Sequence, residues 1–402
     1  MNVKLLQVNT GVNTGSTGRI AEDIGKVMMA RGHESYIAYG RDSRPSDSEL
    51  IRIGGRADMY LHGLKTAVFD RHGFGSARAT RDFIRHVEHM APDVIGMHNI
   101  HGYYLNIEEW FTYLASAGIP LFWTLHDCWS FTGHCTYFDD IDCKKWQTGC
   151  HSCPKLRKYP ASYLSDNSKS NYLDKNRLFN SVTNMELIVP SNWLRELVQR
   201  SFLSGRTVHV IHNGVNTSVF RPMDSDLKDR LGLKGKRVVM GCANTWDKRK
   251  GLEDLVNLRD KLPNSVAIVA VGLSPEQIKG LPAGVQGFSR TSGLEELVRF
   301  YNMADVFVNP TYQDNFPTTN IEALACGTPV VTYRTGGSPE AVDAETGIVV
   351  DKGDLAGMGK AIQEVMSSGS LTRERCRKRA EIHFDQHKQF SRYAEIFEKT
   401  TS

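Results

Sequence analysis

The 402-residue chain contains no apolar run of membrane-spanning length, which would take about 20 consecutive apolar residues. Its first ten residues, MNVKLLQVNT, lack the apolar core of a secretory leader because polar residues interrupt them. These two absences lead to the expectation of a cytoplasmic protein. A strong charge of either sign is also missing: 49 Lys and Arg against 45 Asp and Glu leave a net charge of +4. So small an imbalance argues against nucleic acid as a partner, while it suits a small anionic ligand or a loose contact with a membrane surface. Short-period repeats, low-complexity segments and an Asp-x-Asp metal motif at a strand end are absent as well. The glycines of NTGVNTGSTGR do not follow the G-x-G-x-x-G dinucleotide spacing, and AYGRD offers only Asp42 as the acidic partner, so NAD is disfavoured.

What is present is an alternation. VKLLQV (3–8) has the character of a buried strand, followed by a glycine-bearing turn and helical apolar spacing from Thr17 to Ala30. SYIAYG, DVIGMHN, PLFWTLHD, ELIVPS and VHVIHN continue the series with helix-length segments between most of them. After NGVNTSVFRPMDSD the theme restarts with RVVMGCA, VAIVAVG, VQGFS, DVFVNP, PVVTY and GIVV. Alternating strand and helix favours parallel sheets wrapped by helices. The expected fold class is therefore α/β: two Rossmann-like, doubly wound domains facing a cleft, with ligands beyond the carboxyl ends of the strands. The expected boundaries are 1–213, 214–383 and a C-terminal helical segment 384–402, whose last helix (387–399) would cross back to the first half.

The stretch TYQDNFPTTNIEALACGTPVV (311–331) reads as loop, helix start, short helix and buried strand. Asp314 or Asn315 is expected to cap the helix, Pro317 to occupy its first turn, and Gly327 and Pro329 to end it. The helix N-terminus, with the amides of Thr318 and Thr319, is a candidate anion site, and Glu322 lies one to two turns along. The structural alternative is a plain cap at Asp314 and a solvated helix residue at Glu322. In the first half, Gly15, Ser16, Thr17 and Gly18 form a turn where backbone can approach an anion, or an ordinary tight turn. His98, His101 and His126 stand at strand ends, where side chains reach a ligand-binding floor. Tyr103 and Trp129 lie close to them in sequence.

These residues carry a resemblance. Asp314-x7-Glu322 with Phe316-Pro317 inside it, EALACGTPVV, TGGSPE (335–340), Lys250-Gly251 and IHNGVNTSVFRP (211–222) occur in an order that resembles retaining glycosyltransferases of family 4, with the GT-B fold. HNIHGYYLNI and the following WTLHDCWSFTGHC…CKKWQTGCHSCP are similar to a bacterial polysaccharide branch that includes colanic-acid-type galactosyltransferases. The resemblance implies that residues 1–213 take the acceptor and residues 214–383 the donor, a UDP-sugar or alternatively a GDP-sugar. Lys250, with Arg249, would neutralise the donor diphosphate. Glu322 would hold the ribose hydroxyls and Asp314, one methylene shorter than the family glutamate, would approach the transferred sugar. Phe316, Pro317, Thr318 and Thr319 would line the donor loop, and Arg290 would stand near the base in GFSRTSG (287–293). His126 would contact the transferred sugar, while His98, His101, Tyr103 and Trp129 would line the acceptor side. The implied reaction is retaining hexosyl transfer without a metal, to a polysaccharide or lipid-linked oligosaccharide, at the inner face of the membrane.

Five of the eight cysteines fall between Cys128 and Cys153. Cys150 and Cys153 form a C-x2-C knuckle, and Cys135 with Cys143 would complete a four-thiolate structural zinc site, with buried free thiols as the alternative. Such a site would staple an insertion at 128–165, whose aromatic residues Trp129, Phe131, Tyr137 and Trp146 either stack on sugars or pack a small core. A competing class is a non-catalytic, zinc-containing carbohydrate-binding protein, which has no need of a diphosphate site.

Overall fold

The computed structural model describes residues 2–400, and the chain divides into two compact units, Met1–Ile211 with Phe390–Ser402, and His212–Gln389. The first unit holds a seven-stranded sheet: β1 (Lys4–Asn9), β2 (Glu34–Tyr39), β3 (Glu49–Arg52), β4 (Val94–Met97), β5 (Leu121–Thr124), β6 (Met185–Val189) and β7 (Val208–Val210). Its order is β3-β2-β1-β4-β5-β6-β7 with every pairing parallel. The second unit holds β8 (Arg237–Cys242), β9 (Val266–Val271), β10 (Val285–Phe288), β11 (Val306–Asn309), β12 (Val330–Tyr333) and β13 (Gly347–Val350). These run in the order β10-β9-β8-β11-β12-β13, again all parallel.

The apolar runs of the sequence become these strands because helices cover both faces of a parallel sheet. β4, β5, β9, β11 and β12 are buried along their whole length. β3 has no apolar run to mark it: only Leu50 and Ile51 separate Glu49 from Arg52, and pairing with β2 at the sheet edge makes it a strand. In each sheet the strand order reverses once, between β1 and β4 and between β8 and β11. Ligand sites in open α/β sheets sit beyond the carboxyl ends of the strands at such a reversal.

The helix Gln386–Thr400 begins in the second unit and continues in the first. Phe390, Tyr393 and Phe397 are buried against Val3, Leu5, Phe122 and Ile188 on one face of the first sheet. On the opposite face, Trp110, Phe111, Trp123 and Phe179 form the aromatic centre of the core. Among the described residues no helix is long and apolar enough to cross a membrane.

The 128–165 insertion folds as short 3-10 turns around Phe131, Phe138 and Trp146, all buried. Trp129 is buried too, with the Lys175 ammonium 3.4 Å above its ring and donating to its carbonyl oxygen at 2.8 Å. Trp129, Phe131 and Trp146 therefore pack within the protein, and Trp129 also lines the indentation at the ends of β4 and β5.

The expected zinc site is not formed either. Cys135, Cys143, Cys150 and Cys153 line one small pocket, yet among the described residues no group of three or more His, Cys, Asp or Glu is disposed to hold a metal ion. Beside that pocket the Gly133 N–H donates to Cys150 Sγ at 3.2 Å, and His134 Nδ1 pairs with the buried Asp70 at 2.5 Å.

Candidate active site

In the second unit the site forms past β8 and β11, the two strands flanking the order reversal. Lys250 closes a 3-10 turn, Lys248–Lys250, capped by Asp247, whose carboxylate accepts the Lys250 N–H at 3.0 Å. Gly251 follows at φ 73°, and a Cβ there would lie 2.1 Å from the Pro310 carbonyl oxygen. Only glycine lets this turn press against the loop after β11. That contact brings Lys250 Nζ within 2.5 Å of Asp314 Oδ2, both side chains being largely buried. The loop is supported from its other side by TGGSPE: Gly336, at φ 54°, lies so close to Asp314 that a Cβ would sit 1.7 Å from the Asp314 carbonyl oxygen. The Gly337 N–H donates to Asn315 O at 2.9 Å.

The helix that follows runs Thr318–Ala325, with Pro317 at its N-cap and no side-chain cap. Neither Asp314 nor Asn315 caps it, contrary to expectation, because Asp314 is turned to Lys250. Thr318 and Thr319 are half-buried in its first turn. Phe316 is buried, its ring stacked on His212 at 4.8 Å and packed on Phe384, so its side chain serves the core. Glu322 Oε2 accepts the phenol O–H of the buried Tyr301 at 2.8 Å. Burial, reinforced by the Glu322 charge, drives the Tyr301 hydroxyl well above its ordinary pKa and Cys242 up to about 12, so both stay protonated around the carboxylate. Tyr301 orients Glu322, and no spacing in the sequence announced it.

The cations divide in an unexpected way. Arg249 donates to the Gln313 carbonyl oxygen at 3.0 Å, pairs with Asp247 at 3.8 Å, and its own carbonyl receives the Tyr312 N–H. It clamps the loop that carries Asp314. Arg290 is exposed and reaches the turn after β8, donating to Asn244 Oδ1 at 2.5 Å.

In the first unit, the turn after β1 leads into a helix, Gly15–Ala30, again without a side-chain cap. Gly15 and Ser16 are exposed; Gly18 is buried, with room for a Cβ only 3.1 Å from the Gly11 carbonyl oxygen. At the ends of β4 and β5 the predicted histidines come together. His98 Nε2 donates to Gln7 Oε1 at 3.1 Å, the Gln7 amide donates to the Ala21 carbonyl, and His98 Nδ1 then accepts from His126 Nε2 at 3.2 Å. This order follows because the Gln7 oxygen can only accept. Burial lowers both imidazoles, His126 to about 4, so the pair is neutral near pH 7. Asp127 does not orient His126: its Oδ2 pairs with His101 Nε2 at 2.9 Å, and its Oδ1 accepts the Trp129 N–H. Burial opposes ionisation of Asp127, but the His101 imidazole and that N–H outweigh it and hold the carboxyl below its usual range. His101 Nδ1 also meets the Tyr159 hydroxyl at 3.2 Å. His98, His101, His126, Asp127 and Ser130 line one indentation of ≈ 190 Å³. Tyr103 stands beside it at φ 69°, its ring 4.9 Å from that of His72.

Two parallel α/β units, each with candidate polar groups at the reversal of its strand order, make up the GT-B fold. The Glycosyltransferase Family 4 model matches residues 17–219, and the model for glycosyl transferases group 1 matches residues 224–383. The chain belongs to glycosyltransferase family 4. It is 24% identical over 371 residues to the putative colanic acid biosynthesis glycosyl transferase WcaC of Escherichia coli K12, covering 88% of each protein. The D-inositol 3-phosphate glycosyltransferase of Mycobacterium sp. strain KMS is 33% identical over 181 residues, 42% of this chain and 41% of that one. Among solved structures, Anabaena Alr3699/HepE in complex with UDP superposes with a TM-score of 0.70 at 18% identity, over 98% of this chain and 100% of that chain.

Proposed function

We propose that this glycosyltransferase moves a hexose from a UDP-sugar to a polysaccharide or lipid-linked oligosaccharide during cell-surface polysaccharide synthesis, with retention at the anomeric carbon. The observation that carries the reading is the seating of Lys250 against Asp314 past β8 and β11, with the Tyr301-oriented Glu322 on the next helix. A carboxylate fixed by a buried phenol suits two ribose hydroxyls, and an ammonium beside uncapped helix amides suits a diphosphate. HepE in complex with UDP and with UDP-glucose supports a uridine nucleotide, and the putative colanic acid biosynthesis role of WcaC supports a polysaccharide product.

In this scheme the chemical task is to stabilise the leaving UDP while an acceptor hydroxyl attacks the same face of an oxocarbenium-like centre. Lys250 and the amides of Thr318 and Thr319 meet the diphosphate, and Pro317 shapes their turn. Arg290 replaces Arg249 as the second cation, because Arg249 is committed to the Gln313 carbonyl. Asp314 exchanges Lys250 for a hydroxyl of the transferred sugar. In the first unit, taken by itself, the Gly15–Gly18 turn offers amides suited to an anion, and the neutral His126 offers a hydrogen bond to a sugar hydroxyl. His98 holds His126 in its tautomer, and the His101–Asp127 pair with Tyr103 forms the acceptor floor. With leaving-group charge met by protein cations, the scheme requires no metal ion.

Calorimetric titration of UDP, GDP, ADP and their sugar conjugates tests this reading. Saturable binding of UDP that is lost in Glu322→Ala is the expected result, with hexosyl transfer that persists in EDTA. Preference for GDP would overturn the nucleotide assignment, and binding of no nucleotide would overturn the donor site.

A further inference from the structure

Tyr159 belongs to the 128–165 insertion and reaches back to the ends of β4 and β5. Its ring stands against those of His72, His101 and Tyr103, with centroids 5.6, 6.0 and 6.1 Å away, yet the residue is 43% exposed. The phenol is held from the inside and open to a ligand on the outside.

The direction of its hydrogen bond follows from its partners. Asp127 is held ionised, and a carboxylate only accepts, so the 2.9 Å contact to His101 Nε2 places the ring proton on that nitrogen. The carboxylate is fixed in turn, because its Oδ1 accepts the Trp129 N–H at 2.9 Å. In the neutral imidazole the other nitrogen, Nδ1, is an acceptor, and the Tyr159 hydroxyl 3.2 Å away donates to it. The phenol thus spends its single proton inward and turns to a ligand an oxygen that can only accept. Partial burial, with the Tyr103 phenol and the Asp127 carboxylate near, pushes Tyr159 above its ordinary pKa, so it remains a phenol. The titratable groups packed around these three include His72 and His126, which burial keeps neutral, Tyr103, and the cations Arg41 and Lys175.

We propose that Tyr159, His101 and Asp127 form a relay that takes the proton of the attacking acceptor hydroxyl. The hydroxyl O–H bond breaks and its proton joins the Tyr159 oxygen, while the phenol's own proton passes to His101 Nδ1. The acceptor oxygen keeps the electron pair and uses it to bond the anomeric carbon. Asp127 then faces an imidazolium, as a carboxylate does behind the histidine of an activated nucleophile. Tyr159 is the catalytic residue of the three, and His101 and Asp127 are positioning residues that act through it. The relay rests on the transferase reading and adds to it the base that the acceptor meets.

Two measurements test it. In NMR spectra of protein carrying isotope-labelled histidine, His101 should be the Nε2–H tautomer, and Tyr159→Phe should shift its Nδ1 resonance. An Nδ1–H tautomer would overturn the relay whatever the substrate. The second measurement follows transfer from UDP-glucose or UDP-galactose, whichever binds, to water and to methyl hexosides. Tyr159→Phe keeps the ring and should lower kcat about 100-fold at an unchanged melting temperature and UDP affinity. It should also abolish the fall of kcat on the acid side of the pH profile, where a protonated His101 accepts nothing; His101→Gln should lose the same limb. Wild-type kcat in Tyr159→Phe, or a lower kcat that keeps the acid limb, would overturn the relay alone, since UDP binding and transfer by the wild type would stand. A wild type that binds no UDP would overturn the transferase reading, and the relay's role with it.

Discussion

The ammonium of Lys250 is shared. In the structure it satisfies Asp314, and in the proposed reaction it must turn to a diphosphate, so the two partners compete for it. Lys250→Ala is expected to lower kcat/KM for the UDP-sugar by on the order of 100-fold, measured by product formation, since it removes charge stabilisation of the leaving group. Asp314→Asn should do the opposite to free UDP, binding it roughly 3- to 10-fold tighter by calorimetry while turnover falls, because Lys250 is released from a charged partner. Unchanged UDP affinity in Asp314→Asn would show that the pair does not gate the nucleotide.

Buried histidines give a second expectation at this scale. Burial lowers His62 to about 3 and His72 and His98 well below their ordinary value. All three are neutral at pH 7. Below about 6.5 the unfolded chain takes up protons that the folded chain refuses, so stability should fall with falling pH by up to ~1.4 kcal/mol per unit for each histidine. Neither ring nitrogen of His72 has a hydrogen-bond partner among the described residues. His72→Phe should therefore raise the melting temperature at pH 5 more than at pH 8; equal shifts at both would refute the titration account.

At the scale of elements, the Lys-Gly and TGG motifs act through their glycines. Gly251 and Gly336 combine positive φ with backbone oxygens at 2.1 and 1.7 Å from any Cβ, whereas Gly15 has positive φ and nothing within 4 Å. Gly251→Ala and Gly336→Ala should each cost at least about 3 kcal/mol in the unfolding of the second unit, Gly15→Ala only about 1 kcal/mol in the first. Denaturant melts of the three variants order them directly.

The same elements show what sequence could and could not reveal. Apolar runs such as VAIVAV and VVTY mark strands because both faces of a parallel sheet are buried. The polar edge strand ELIR carries no such mark and exists through its pairing. Lys250 and Glu322 were singled out by the resemblance of their motifs, and the structure places them on a turn and a helix past β8 and β11. The commitment of Arg249 to the Gln313 carbonyl, the phenol of Tyr301 behind Glu322 and the turn of Asp314 away from the helix cap had no such signal. Each depends on which distant segment the fold lays beside the residue.

At the scale of the molecule, the two units differ in how their cores are completed. The first is closed by a segment that follows the second in sequence, through Phe390, Tyr393 and Phe397. Phe397→Ala should cost about 3–5 kcal/mol, and by hydrogen exchange the loss should fall on β1, β5 and β6 and spare β8 to β13. Loss spread evenly over both sheets would contradict the assignment of that helix to the first unit.

This arrangement also sets an order of events during synthesis. While the ribosome makes the whole second unit, the face of the first sheet that bears Val3, Leu5, Phe122 and Ile188 has only Ile20, Ile24, Val27 and Met28 of the Gly15–Ala30 helix packed with it, and the rest of its cover arrives when residues 390–400 emerge. From the completion of β6 to residue 390, about half of its elongation, the nascent chain thus carries a partly exposed apolar surface of the kind that holdase chaperones bind.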